Sequence, residues 1–234
     1  MPVAASAFLV TCEHGGNRIP ARYRALFRGS AAVLASHRGY DPGALSLARL
    51  LARRLDAPLV AATVSRLLVD LNRSVGHPQL FSEMSREVPA AGRARIIASY
   101  YRPFRERVER IVAQGASRGR RTVHVSAHSF TPRLDAVVRT ADVGFLYDPA
   151  RAQEAELCAR WQAALRERLP ELRVRRNYPY RGAGDGLTTH LRRQWPGALY
   201  VGVEVEINQA IVRRAGVPWQ DLRRALADVL AGGH

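Results

Sequence analysis

Short apolar runs alternate along this chain with longer segments of helical period. Runs rich in Val, Leu and Ala at Phe8 to Thr11, Leu59 to Val64, Leu67 to Leu71, Thr122 to Ala127, Gly144 to Tyr147 and Tyr200 to Ile207 predict strands. Between them, Pro42 to Leu55 places Leu45, Ala48, Leu51, Ala52 and Leu55 on one face at the 3.6-residue period and predicts a helix. Arg93 to Gln114, Pro149 to Leu169 and Pro218 to Leu230 each join an apolar stripe to an Arg/Glu face and predict further helices. Alternation of this kind predicts an α/β fold with a mostly parallel sheet covered by helices on both sides. No internal repeat or low-complexity linker breaks the pattern, so the 234 residues read as one domain.

The polar residues of chemical interest sit at the ends of the apolar runs. His14 in FLVTCEHGGNRIP and His128 in TVHVSAHSFTP each follow such a run, and Asn72-Arg73 follows LLVDL. Ligands of parallel sheets gather beyond the carboxyl ends of the strands, so these residues are placed to share a cleft. The paired glycines Gly15 and Gly16 permit a tight turn that leaves His14 above the sheet. Two neutral imidazoles can hold a divalent metal, and a catalytic zinc takes three protein ligands while keeping one position for water. Asp41, Glu13, His37 and Asn17 compete for the third ligand. His124 shares a strand face with His128 and is read as a packing residue, and Cys12 as a small buried thiol beneath the site.

Arg73 offers a planar fork of donors suited to a substrate carboxylate, with Asp70 and Asn72 beside it. In VGVEVEINQ, strand geometry puts Glu204 and Glu206 on one face and Val203, Val205 and Ile207 on the other. Carboxylates near a core are costly unless paired or functional. Glu206, nearer the carboxyl end of the strand, is the candidate general base, and Glu204 is expected to pair with an arginine.

Composition narrows the options. A 47% hydrophobic content and three Trp suit a globular protein, and no apolar run is long enough to span a membrane. The N-terminus lacks the basic region of a secretory signal, which with only two cysteines points to a reducing, cytoplasmic setting. The net charge of +16 raises a nucleic-acid hypothesis, but all 36 basic residues are dispersed arginines without a recognisable nucleic-acid motif, and they read as solvated surface. The expected partner is a small molecule; the sequence leaves the oligomeric state open.

Taken together, CEHGGNRIP, HRGYD followed by PGA, DLNRS, SAHSFTP, VGFLYDP, the NYPYRG and DGLTTH stretch, and VEVEINQ resemble the N-formylglutamate amidohydrolase family. They span residues 12 to 209 in the family's order. The resemblance, which extends to metallocarboxypeptidase- and aspartoacylase-like enzymes, implies a three-layer α/β/α fold with a central mixed sheet, one catalytic Zn2+ and hydrolysis of an N-acyl amino acid. It implies His14 and His128 as metal ligands and Glu206 as the catalytic carboxylate. Asn72 and Arg73 would hold the substrate's carboxylate, while Arg139 and the loop from Asn177 to His190, with Tyr180, would shape the pocket. One departure stands out: the wider superfamily has a Glu ligand three residues after the first His, where this chain has Asn17. Asp41, then Glu13, are the expected replacements. A member of the fold that binds ligand without catalysis is the alternative reading.

Overall fold

The computed structural model describes residues 4–214 and 217–232. Strand β1 (Ala4–Cys12) leads through a 3-10 turn (Ala21–Phe27) and the short α1 (Ala31–Leu34) to α2 (Ala44–Arg54) and β2 (Leu59–Ala61). After a long irregular stretch, α3 (Ala90–Ile96) continues through a π-helical turn (Ile97–Tyr101) into α4 (Arg102–Ser117). Next come β3 (Arg120–Phe130), the hairpin of β4 (Arg133–Leu134) and β5 (Val137–Val138), and β6 (Val143–Leu146). The chain closes with α5 (Ala152–Arg168), β7 (Val174–Arg176), α6 (Leu187–Gln194), β8 (Tyr200–Asn208), α7 (Gln209–Arg214) and α8 (Val217–Gly232).

Six strands pair in the order β2-β1-β3-β8-β6-β7. All neighbours are parallel except β6 and β8, so the sheet is mixed and mostly parallel, as the sequence pattern predicts. Its central strands are covered on both faces, which explains their near-continuous apolar runs. On one face Val10, Val125 and Val203 pack with Leu47 and Leu51 of α2, Trp161 and Leu165 of α5, and Leu226 of α8. On the other, Leu9, Val60 and Tyr200 pack with Phe104, Val108 and Val112 of α4 and Leu187 and Leu191 of α6. No helix of the described residues is long and apolar enough to cross a membrane.

Three sequence expectations need correction. The run Leu67 to Leu71 is not a strand but a buried turn and extended segment, held by bonds such as Asp70 N–H to the Leu80 carbonyl (2.9 Å). Its apolar side chains are there to fill the second cluster rather than to join a sheet. Strand β2 ends at Ala61, and beyond it Val64 forms an isolated bridge to Arg18. Strand β3 runs on to Phe130, so His128 lies inside the strand instead of beyond it.

Candidate active site

Strands β1, β3 and β8 are parallel, so their carboxyl ends meet at one edge of the sheet. There a cavity of about 400 Å³ is lined by His14, His37, Asp41, Arg66, Asn72, Arg73, His128, Tyr180, Arg181, Asp185, Glu204 and Glu206, among others. That size suits a small molecule.

His14 follows β1 directly, and the turn after it is drawn tight against the sheet edge. Gly15 donates to the Ala62 carbonyl (3.0 Å), and a Cβ there would stand 2.8 Å from that oxygen; one on Gly16 would stand 2.8 Å from the Thr63 carbonyl. The backbone of Asp41 donates to the His14 carbonyl (2.9 Å), bringing the segment before α2 over the same strand end. Register sets the rest: His128 pairs with Glu206 and Ser126 with Glu204 on adjacent strands, so all four side chains share one face.

His14, Asp41 and His128 each offer a ligand atom within 4.8 Å of the other two, and all three residues are buried. His14 Nε2 lies 2.7 Å from Asp70 Oδ1. The carboxylate can only accept, so Nε2 carries a proton, and Nδ1 is the nitrogen left for another partner, buried and without a hydrogen bond. His128 Nε2 sits 2.9 Å from Ser126 Oγ and 3.4 Å from Glu13 Oε2, which turns its Nδ1 toward Asp41 Oδ2 at 2.9 Å. His14 Nδ1 is 3.5 Å from the same Asp41 oxygen. Two imidazole nitrogens and a carboxylate oxygen thus face one point. Such a set could hold a metal ion, each imidazole being oriented through its other nitrogen.

The electrostatics agree. Burial and Arg66 oppose charge on His14, but Asp70 and Asp41 outweigh them and raise its pKa. Burial likewise opposes charge on His128, and its contacts with Asp41 and Glu13 push its pKa well up. Burial would raise Asp41, yet His14, His128 and Arg66 hold it far below the usual carboxylate range. The groups together favour positive charge where they meet, and a divalent cation bound there would compete with protons.

Glu206 is different. Burial, reinforced by Asp41 and Glu204 and opposed by His128, pushes its carboxyl up to about 8, and its Oε2 is buried without a partner. Gly144, in register with Glu206 on β6, makes room for this corner: a Cβ at 144 would fall 2.0 Å from the Tyr178 carbonyl and 3.4 Å from Glu206 Cβ.

Across the cleft, Arg73 Nη1 donates to the Asp185 carbonyl (2.9 Å), while its buried Nε has no partner. Asn72 Oδ1 accepts from Leu187 N–H (2.7 Å), so its Nδ2 is what it can offer a ligand. Asp185 in turn accepts from the backbone (2.9 Å) and hydroxyl of Ser74, fastening the segment after Asp70 to the loop before α6.

The family model described as N-formylglutamate amidohydrolase matches residues 6–212. The chain belongs to this family. An N-formylglutamate amidohydrolase of Ralstonia eutropha has a similar structure, with a TM-score of 0.70 at 20% identity over 97% of this chain and 93% of that one, a likeness of fold. A gene product of Agrobacterium tumefaciens is more similar, with a TM-score of 0.79 and 32% identity over 97% of this chain and 91% of that one. No curated protein sequence gives a significant match.

Within this N-formylglutamate amidohydrolase fold, His14, His128, Asp41, Asn72, Arg73, Tyr180 and Glu206 all line one cleft. Arg139 stands behind it, donating to Tyr180 Oη (2.8 Å) with its guanidinium 4.8 Å from the ring centroid. Of the four candidates for third ligand, Asp41 joins the two histidines, whereas His37 lines the cleft apart from the cluster. Glu13 is turned inward, accepting from Thr11 and Ser126; burial opposes its ionisation, but His128, His124 and Thr11 hold it at about 2. Asn17 is exposed and donates to the Leu34 carbonyl (3.1 Å). Glu204 accepts from Thr188 Oγ1 (2.7 Å) in place of the expected arginine.

Sequence reasoning missed the functional placement of Asp70 and Arg66. Arg66 Nη2 donates to Asp70 Oδ2 (2.8 Å), and Nη1 lies 3.4 Å from Asp41 Oδ1, so one guanidinium braces two carboxylates that face His14. No local pattern signals this pair, because Arg66 and Asp70 meet across a turn rather than along a helix.

Proposed function

We propose that the protein is a zinc-dependent amidohydrolase that cleaves an N-acyl amino acid into a carboxylate and a free amino acid, acting through a single domain. The observation that carries this reading is the convergence of His14 Nδ1, His128 Nδ1 and Asp41 Oδ2 in the same cleft as the unpartnered Glu206 Oε2. His14, His128 and Asp41 would hold the ion, which when bound supplies Lewis acidity toward the scissile carbonyl and the attacking water.

The remaining work belongs to the chain. Arg73, through its free Nε, and Asn72, through Nδ2, hold the α-carboxylate of the substrate, so that its amide is delivered toward the far wall of the cleft. Glu206 accepts the proton of the attacking water at Oε2 and passes it to the departing amine nitrogen. Burial raises the Glu206 pKa, which favours holding a proton once it is taken up, and a cation bound beside it would favour the carboxylate that takes it. Arg66 and Asp70 keep His14 in the tautomer that leaves Nδ1 free. The non-catalytic alternative rested on Asn17; the Asp41 carboxylate beside His14 and His128 supports the catalytic reading over it.

The test is turnover of a panel of N-acyl amino acids by purified, zinc-loaded protein, N-formylglutamate first. Release of free amino acid supports the reading, and no hydrolysis across formyl, acetyl and larger acyl groups rejects it.

A further inference from the structure

A line of buried polar side chains crosses the same sheet face, from Tyr200 to the metal cluster, and the mechanism leaves its far end without a task. Tyr200 Oη lies 2.7 Å from His124 Nδ1, and His124 Nε2 lies 2.8 Å from Thr11 Oγ1. Thr11 Oγ1 donates to Glu13 Oε1 (2.7 Å), and Ser126 Oγ donates to Glu13 Oε2 (2.8 Å). Ser126 Oγ also meets His128 Nε2 (2.9 Å). Every one of these residues is buried.

The directions of these bonds follow from proton counting. Glu13 accepts at both oxygens, which commits the single hydroxyl protons of Thr11 and Ser126. Thr11 Oγ1 must then accept from His124 Nε2–H, and in the neutral ring Nδ1 accepts from the Tyr200 hydroxyl. Burial, against the pull of Glu13, depresses His124 to about 4, in agreement. Ser126 Oγ must by the same count accept from His128 Nε2–H, which leaves Nδ1 as the nitrogen that faces Asp41 Oδ2 at 2.9 Å, where either a proton or a cation would sit between them. Glu13 is where both halves of the chain end.

The geometry of the sheet is built around this line. Thr11 pairs with Ser126, and His124 with Gly202, on adjacent strands. The ring of Tyr200 lies over Gly202, where a Cβ would stand 2.5 Å from Tyr200 Oη, so a residue without a side chain is required for the hydroxyl to reach His124. A histidine that only filled space would need none of this.

We infer that His124 is a positioning residue for the metal site: through Thr11 it fixes the carboxylate of Glu13, which through Ser126 holds the ring of His128 with Nδ1 turned toward the cation. The inference rests on the zinc-site reading above. It gives His124 a role beyond packing.

The test reads Zn2+ affinity by chelator competition, without substrate, in wild type, His124→Phe, His124→Gln, Thr11→Val and the double variant His124→Phe/Thr11→Val. Phe keeps the bulk but cannot donate to Thr11, whereas Gln can supply an N–H. Zn2+ binding is expected to weaken about tenfold or more in His124→Phe and in Thr11→Val. Partial recovery is expected in His124→Gln, and the double variant should be no weaker than Thr11→Val alone, because both changes cut one line. Should His124→Phe fail to fold, His124→Gln against Thr11→Val still decides: a Gln variant weaker than Thr11→Val overturns the inference. Wild-type affinity in folded His124→Phe, or additive losses in the double variant, also overturn it. A wild-type protein that takes up no Zn2+ removes the zinc-site reading and this inference together, while tight wild-type binding with unchanged variants removes only the inference.

Discussion

His14 Nε2 and Asp70 Oδ1 stand 2.7 Å apart in the protein interior, and this contact decides which nitrogen of His14 is left for another partner. Because the carboxylate accepts, a proton sits on Nε2 and Nδ1 faces Asp41 and His128. Burial alone would raise Asp70; Arg66 and then His14 bring it well below the usual carboxylate range. The pair is therefore a fixed acceptor and a fixed donor.

Asp70→Asn weakens this arrangement, since an amide can offer either an oxygen or an N–H to the ring. Zn2+ affinity is expected to fall about ten- to a hundredfold, the usual cost of losing a partner that orients a ligating imidazole. Chelator competition measures it. An unchanged affinity would show that His14 is oriented by other means.

Glu206→Gln keeps the shape of the side chain and removes its ability to accept a proton. The variant should retain Zn2+ and lose activity by about a hundred- to ten-thousandfold in kcat, the usual contribution of general acid-base catalysis. Metal content and turnover measured on one sample separate the two effects. Near-normal turnover would take Glu206 out of the mechanism.

Arg73→Ala removes the carboxylate clamp. Its loss should raise KM or lower kcat/KM by about ten- to a hundredfold for N-acyl amino acids, the equivalent of a charged hydrogen bond of roughly 1.5–3 kcal/mol. The matching N-acyl amino acid amides, which lack that carboxylate, should be little affected. Equal losses on both substrates would argue for a structural role instead.

The other heavily bonded arginine near this loop is structural. Arg192 Nε donates to both oxygens of buried Glu154 (3.0 Å each), while its terminal nitrogens reach the Gly182 (2.6 Å) and Gly202 (2.8 Å) carbonyls. Glu154→Leu leaves this buried cation without its counter-charge and should destabilise the fold by about 3–5 kcal/mol. Denaturant unfolding measures it, and a loss below about 1 kcal/mol would show that the pair is dispensable.

Much of the site was legible in the sequence because its members stand close to strand ends. His14 and the glycine turn after it and the alternation around Glu206 carry local signals, whereas Asp41 in HRGYD, ahead of α2, was one of four open candidates for the third ligand; the structure brings His14, Asp41 and Glu206 into one cleft. What the sequence hid is set by register between strands. Thr11 meets Ser126 across more than a hundred positions, and nothing local in TVHVSAH says that its polar face is buried and bonded to Glu13. The same limit explains Leu67 to Leu71: an apolar run announces burial, but whether it pairs in a sheet depends on a neighbouring strand the run does not encode. Edge strand β7, with exposed Arg175 and Arg176, and α6, whose LTTHLRRQ carries few apolar residues, gave too little periodicity to be found.

The most direct test of the central claim is elemental analysis of the purified protein after exhaustive dialysis, made in parallel on wild type, His14→Ala, Asp41→Ala and His128→Ala. The account predicts about one equivalent of zinc per chain in wild type and its loss from each variant. Wild-type protein without bound metal, or folded variants that keep it, would contradict the account.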